Sequence, residues 1–305
     1  MSVTDETTAT VNGTANGAFT GLPAVRHVET LGYRTAFYEA GEGETVILLH
    51  GGGAGADSRS NWEGCFDLFA SRARTFAVDL VGFGETDKPD PERFAYTQDA
   101  RNAQLVAFIE ALGLERVTII GNSMGGATAL GVAMTRPDLV ANLVLMGSGG
   151  LTTHISHELG AVVDYDFTED GMRRLIGVLS NPGFVPTTDQ VRYRYELSVR
   201  PEIRAAYRAT MGWVKANGLA YTEERLREVK ARTLVVNGKD DVIVPVETAY
   251  RFLALLENST GYILPHCRHW AMIEYPQLFA EVCLDFVAGR GVPNSAAGPA
   301  GQGEG

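Results

Sequence analysis

The chain is short of cysteine, has no cluster of basic residues and no long apolar run, and each absence closes off a class of function. Its three cysteines, Cys65, Cys267 and Cys283, are too few and too scattered for a disulfide framework or a cysteine-based metal site. Scattered unpaired thiols fit a reducing, cytoplasmic setting. No apolar segment approaches the roughly 20 residues a membrane helix needs, so no membrane partner is expected. Lys and Arg number 26 against 37 Asp and Glu, and the net charge of −11 makes nucleic acid an unexpected partner, since phosphates would be repelled. The first residues lack the basic start and apolar stretch of a secretion signal. Apolar side chains, at 45% of 305 residues, are sufficient for a large core. Residues 1–22 and 289–305, dominated by small and polar residues, read as unordered tails.

Between the tails the hydrophobic period changes twice. Residues 28–38 alternate apolar and polar, the pattern of a paired edge strand or hairpin. Short apolar runs at 45–50, 75–79, 117–121, 143–146, 233–237 and 262–264 suit buried parallel strands. Helical patterns at 99–112, 124–135, 247–256 and 277–287 separate most of them, the last opened by Pro276. Strands alternating with helices predict an α/β fold with a mostly parallel sheet covered on both faces. The alternation stops between 151 and 232, where helical patterns such as 171–179 and 205–215 occur without a convincing strand. The predicted organisation is a core of 23–150 and 233–288 with a helical lid at 151–232.

One strand runs straight into Gly121-Asn122-Ser123-Met124-Gly125, with a helix able to start at once behind it. This strand–turn–helix string is the nucleophile elbow of α/β-hydrolases. A serine hydroxyl attacks only if it is exposed and given a base, and the base needs an orienting acid. Both follow in the order that fold uses, each just past a strand: Asp240 and Asp241 after 233–237, then His266 and His269 after 262–264. Residue types alone leave both pairs open. His27, His154 and His157 read as solvated or locally bonded. The helical spacing of His154 and His157 lacks a third ligand nearby, so no metal site is expected.

His50-Gly51-Gly52-Gly53-Ala54-Gly55-Ala56-Asp57 follows another strand. Its glycines leave backbone amides uncovered, as an oxyanion hole requires, and the amide of Met124 supplies a second donor. A phosphate loop would need a lysine or a Gly-x-Gly-x-x-Gly opening a helix, and neither is present. The 79–86 segment, with Gly82 and Gly84, reads as a turn shaping the pocket floor, without chemistry of its own.

These strings, together with Ser60-Asn61-Trp62, Gly238-Lys239-Asp240-Asp241, Val244-Pro245 and His269-Trp270-Ala271, resemble the meta-cleavage product hydrolases of the α/β-hydrolase superfamily, over about residues 25–288. Those enzymes hydrolyse a carbon–carbon bond in 2-hydroxy-6-oxohexa-2,4-dienoates, the ring-opened forms of catechols. The resemblance is strongest to the branch acting on an aminophenyl dienoate, through Asp164-Tyr165-Asp166-Phe167, Gly261-Tyr262-Ile263 and Ala271-Met272-Ile273-Glu274. It implies Ser123, His269 and Asp241 as the triad and Gly52 and Met124 as the oxyanion hole. It further implies Gly53, Asn61, Asn122 and a lid arginine (Arg194, with Arg192 as the competing position) around the dienoate's carboxylate and hydroxyl, and Trp270 against its chain. No cofactor is implied, the substrate is a small anionic dienoate, and a homodimer or larger homo-oligomer is usual. Lid residues such as Ile155, Phe167, Leu175 and Trp213 are expected to set the acyl substituent. One departure stands out: Arg268 occupies a position where the family usually has glycine, placing a cation beside the histidine or a side chain where φ should be positive. Rival readings are a carboxylesterase of the same fold and a ligand-binding receptor.

Overall fold

The computed structural model describes residues 21–153 and 156–290 and the backbone of Thr4–Asp5. The strands are β1 (Thr4–Asp5), β2 (Arg26–Thr30), β3 (Tyr33–Ala40), β4 (Thr45–Leu49), β5 (Arg74–Val78), β6 (Val117–Asn122), β7 (Val140–Met146), β8 (Leu151–Thr152), β9 (Leu219–Ala220), β10 (Arg232–Gly238) and β11 (Ser259–Leu264). The helices are α1 (Ser58–Trp62), α2 (Phe66–Ala70), α3 (Gln98–Ala111), α4 (Met124–Thr135), α5 (His157–Val163), α6 (Glu169–Leu179), α7 (Thr188–Val199), α8 (Pro201–Asn217), α9 (Glu223–Arg227), α10 (Val246–Leu255), α11 (Ala271–Glu274) and α12 (Pro276–Val287).

Nine strands form one sheet in the order β1-β2-β3-β5-β4-β6-β7-β10-β11. From β5 to β11 neighbouring strands are parallel, and β1, β2 and β3 add an antiparallel edge. The apolar runs of β4 and β6 are buried almost throughout, as strands with helices on both faces must be. The 28–38 alternation is the β2–β3 hairpin, turned at Leu31 and Gly32. Because the central strands are parallel, the loops after β4, β6, β10 and β11 all leave from one edge of the sheet, and those loops carry the glycines, Ser123, Asp241 and His269.

Two boundaries differ from the expectation. The inserted segment is not purely helical: β8 and β9 pair antiparallel at its stem, each too short to show a period in sequence. The helix after it, α9, packs back on α4 and α10, so 221–232 returns to the core. Thr4–Asp5 pair with Arg26 and His27, so two residues of the expected tail join the sheet edge. The rest of 1–20, and 291–305, lie outside the described residues.

Candidate active site

Ser123 sits between β6 and α4 with φ 54° and ψ −115°. A positive φ at a residue with a Cβ is strained by about 1–3 kcal/mol and persists only where the surroundings enforce it. Here they do: Ser123 N–H donates to Met146 O at 3.1 Å, and its own carbonyl accepts from Gly149 N at 2.9 Å and Ala127 N at 3.1 Å. The glycines on either side are sterically required. A Cβ at Gly121 would lie 2.5 Å from the Gly125 backbone, and one at Gly125 would lie 2.5 Å from Leu49 O.

Burial separates the two members of each aspartate and histidine pair. Asp241 and His269 are 5% and 2% exposed, and His269 Nδ1 lies 2.8 Å from Asp241 Oδ2. The other carboxylate oxygen accepts from Ile243 N at 2.8 Å and Val244 N at 3.0 Å, which fixes its orientation. Asp240 and His266 are exposed. His269 and Ser123 line one cavity, of about 40 Å³, together with Gly52, Gly53, Asn61, Asn122, Met124, Arg194 and Trp270. Met124 opens α4, so its N–H is one of the helix's first-turn amides without an intrahelical acceptor.

Arg194 is the buried arginine of α7. It donates to Asn61 Oδ1 at 2.9 Å and Ser60 O at 3.2 Å, and its guanidinium lies 4.5 Å from the centroid of the Trp270 ring. Burial away from water lowers its pKa to about 10. Its Nη1 and the Nδ2 of Asn61 are buried with no hydrogen-bond partner. Arg192 is exposed and pairs with Asp189 at 2.6 Å on the surface. Arg194, Asn61 and Trp270 also face a larger cleft of about 790 Å³, so this cluster forms a partition between the two spaces.

Several residues have tasks their identity did not announce. Asn122 lines the cavity, but its amide group donates to Met146 O at 3.1 Å and His269 O at 3.2 Å. The donors expected to face substrate therefore brace the histidine loop, leaving Oδ1 unpartnered. His50 accepts from Leu80 N at Nε2 and donates from Nδ1 to Gly51 O, which pins the glycine loop. Burial lowers its pKa to about 4, keeping it neutral. Asp57 caps α1 through Ser60 N at 2.7 Å and accepts from Tyr193 OH, the residue before Arg194. The 79–86 segment does not line the cavity. It lies beneath the glycine loop, where Asp79 accepts from Ser58 N at 2.7 Å and Glu85 N at 2.8 Å.

Besides Arg194, the lid residues lining the cavity are Leu159, Val162, Val163, Leu179, Met211, Val214 and Leu219, not Phe167, Leu175 or Trp213. Phe167 meets the Arg204 and Arg208 guanidiniums, Leu175 is buried elsewhere in the core, and Trp213 meets Arg101. Ile155 and His154 lie outside the described residues. His157 is exposed; His27 is neither solvated nor locally bonded, being buried with Nε2 3.3 Å from Glu85 O of a distant loop. Arg268 obstructs no left-handed turn, because the positive φ in its loop falls on His266. Its guanidinium reaches the lid rather than the imidazole, donating to Gly177 O at 3.1 Å.

Comparison with known proteins agrees with this geometry. Residues 44–276 match the family model of the alpha/beta hydrolase fold. The 2-hydroxy-6-oxo-6-(2'-aminophenyl)hexa-2,4-dienoic acid hydrolase of Metapseudomonas resinovorans is 49% identical over 267 residues, covering 87% of this chain and 91% of the relative. A 2-hydroxy-6-oxo-2,4-heptadienoate hydrolase of Pseudomonas putida is 32% identical over 262 residues, covering 84% and 94%. The crystal structure of a serine hydrolase involved in carbazole degradation superposes with a TM-score of 0.81 at 48% identity, covering 88% of this chain and 99% of that one. The chain belongs to the α/β-hydrolase fold family and, within it, to the meta-cleavage product hydrolases.

Proposed function

We propose that the protein hydrolyses the carbon–carbon bond of a 2-hydroxy-6-oxohexa-2,4-dienoate bearing an uncharged aryl group at C6, giving 2-hydroxypenta-2,4-dienoate and an aromatic carboxylic acid. The observation that carries this reading is the pair of buried, unpartnered donors, Arg194 Nη1 and Asn61 Nδ2, on two residues that line the cavity holding Ser123. Unmatched buried donors beside a buried cation call for an anionic oxygen ligand, and a carboxylate supplies one. Trp270 stacks on the same guanidinium and offers its ring to the conjugated chain.

With the carboxylate so held, protonation of the dienol carbon converts the substrate to a ketone whose C5–C6 bond can break with electrons moving into an enone. His269, oriented by Asp241, carries the proton. Ser123 then attacks the 6-oxo carbon or activates water to do so, and the amides of Gly52 and Met124 receive the oxyanion. Addition of one water balances the cleavage. Gly53 leaves room beside the hydroxyl, its nearest would-be Cβ contact being Leu179 at 3.9 Å.

The acyl side of the cavity is apolar: Leu159, Val162, Val163, Met211 and Val214 of the lid and Ile243 of the core. Among the described lining residues the cationic or titratable side chains are Arg194 and His269, so a second carboxylate on the substrate would be buried without a partner. Three buried free thiols agree with a cytoplasmic enzyme, and the relatives' family suggests a homodimer or larger assembly.

The test is turnover of a panel of yellow dienoates with aminophenyl, phenyl, methyl and carboxyethyl groups at C6, followed by loss of colour. Aryl members are bleached with the highest kcat/KM and the carboxyethyl member with the lowest. Binding without bleaching would make the protein a receptor; ester hydrolysis with no dienoate turnover would make it a carboxylesterase.

A further inference from the structure

The C-terminal end of α6 is completed by residues of the histidine loop. The helix stops at Leu179 with Ser180 extended, so its last carbonyls need donors from outside. Arg268 supplies them: its Nη1 lies 3.1 Å from Gly177 O, 3.4 Å from Ser180 O and 3.5 Å from Val178 O. A guanidinium there also opposes the negative end of the helix dipole. The carbonyl between these, Leu179 O, accepts from the backbone N–H of His269 itself at 3.1 Å. Glu274 closes the junction from below, accepting from Arg268 N at 3.1 Å and from Asn181 N at 3.0 Å. The side chain of Leu179 lines the catalytic cavity.

We propose that Arg268 is a positioning residue that latches the end of lid helix α6 to the loop of the catalytic histidine, so that the lid closes in register with the imidazole. The proposal rests on the reading of His269 as the proton carrier. Arg268 touches no reacting atom; it acts through Leu179 and the His269 backbone. The imidazole keeps its separate bond to Asp241, so losing the latch lowers the fraction of molecules with the lid seated rather than disabling the histidine. A smaller competent fraction raises the apparent dissociation constant in proportion and leaves the step after seating unchanged.

The experiment compares Arg268→Ala, Arg268→Lys and Glu274→Gln in the full chain, measuring kcat and KM on the aminophenyl dienoate together with Tm. Loss of charge-assisted hydrogen bonds predicts a KM raised about tenfold for Arg268→Ala, with kcat within about threefold of wild type. Lysine restores most of the KM, because an ammonium also donates to helix-end carbonyls. Glu274→Gln, which keeps one of two acceptors, raises KM less, and it serves if Arg268→Ala does not fold. Unchanged KM in all three, or a fall in kcat and Tm with KM unchanged and no rescue by lysine, would overturn the latch. Wild-type enzyme inactive on every dienoate would instead overturn the proposed function, so the two failures are distinguishable.

Discussion

Two buried guanidiniums stack on tryptophan rings across the boundary between lid and core, in opposite directions. Arg194 comes down from lid helix α7 onto Trp270 of the core, 4.5 Å from its centroid; Arg101 reaches up from core helix α3 to Trp213 of lid helix α8, at 5.7 Å. Desolvation pulls both to a pKa of about 10. Both donate to neutral oxygens, Arg194 to Asn61 and Ser60, Arg101 to Tyr96 O at 3.3 Å and Gln98 Oε1 at 3.5 Å. Of the two, Arg194 alone lines the cavity that holds Ser123, and there it stands beside Asn61, whose Nδ2 is also unpartnered; Arg101 leaves its Nε unpartnered too, but it lines no part of that cavity. Burial of a cation is therefore not enough to define an anion site. It takes space for the anion and a reactive group within the same space; without them, the same stack fastens one layer to another.

The contrast breaks at its root if the chemistry lies outside the Arg194 cavity. Ser123→Ala should lower dienoate turnover by roughly 10³-fold or more, since nucleophile and base act as a unit. Steady-state kinetics with Tm as a folding control checks it, and near-normal turnover would remove Ser123 from the reaction.

Arg194→Met comes next. It should reduce kcat/KM on the aryl dienoate on the order of 10²-fold, the scale of losing one partner of a buried charged contact, while hydrolysis of a small neutral ester falls only a few-fold. Equal losses on both substrates would make Arg194 a fastener like its counterpart. Arg101→Met should change both substrates by the same factor, under about threefold, and move stability by about 1 kcal/mol or less in either direction. Its hydrogen bonds are long, and the desolvation they incompletely offset is relieved by an apolar side chain of similar size. A dienoate-specific loss in that variant would erase the distinction.

The core side of this contrast was legible in the sequence and the lid side much less so. Ser123, the glycine loop and the strand ends sit in contiguous strings whose geometry follows from a strand turning directly into a helix. The choice of Asp241 over Asp240, and of His269 over His266, came from the resemblance and not from residue types, because what separates the members of each pair is burial, which only the fold sets. Membership of the lid made Phe167, Leu175 and Trp213 candidates for setting the acyl substituent, but sequence does not say which neighbour covers each side chain. In the structure Phe167 and Trp213 meet arginines instead. Asn122 illustrates the same gap. Its position beside the nucleophile was visible, but the carbonyls of Met146 and His269 that occupy its amide come from a strand and a loop distant in sequence. The β8–β9 pair was invisible because two residues carry no period.

The smallest effect concerns a buried charge of the opposite sign. Asp79, beneath the glycine loop, meets backbone amides of Ser58 and Glu85, and desolvation, with Asp57 nearby, pushes its pKa up from the usual carboxylate range to about 7. A carboxyl whose pKa is raised on folding holds a proton in the native state that the unfolded chain has already released. Its contribution to stability is complete below the unfolded value and is lost as pH rises through about 7. Asparagine keeps a carbonyl acceptor and cannot ionise, so Asp79→Asn resembles the protonated wild type at pH 5 and escapes the burial of charge at pH 8. The Tm of Asp79→Asn minus that of wild type should therefore become more positive between pH 5 and pH 8, other titrations cancelling in the difference. A difference independent of pH across that interval would show that Asp79 is ionised throughout, and that two backbone amides suffice to hold a buried anion where two neutral oxygens hold the cation of Arg194.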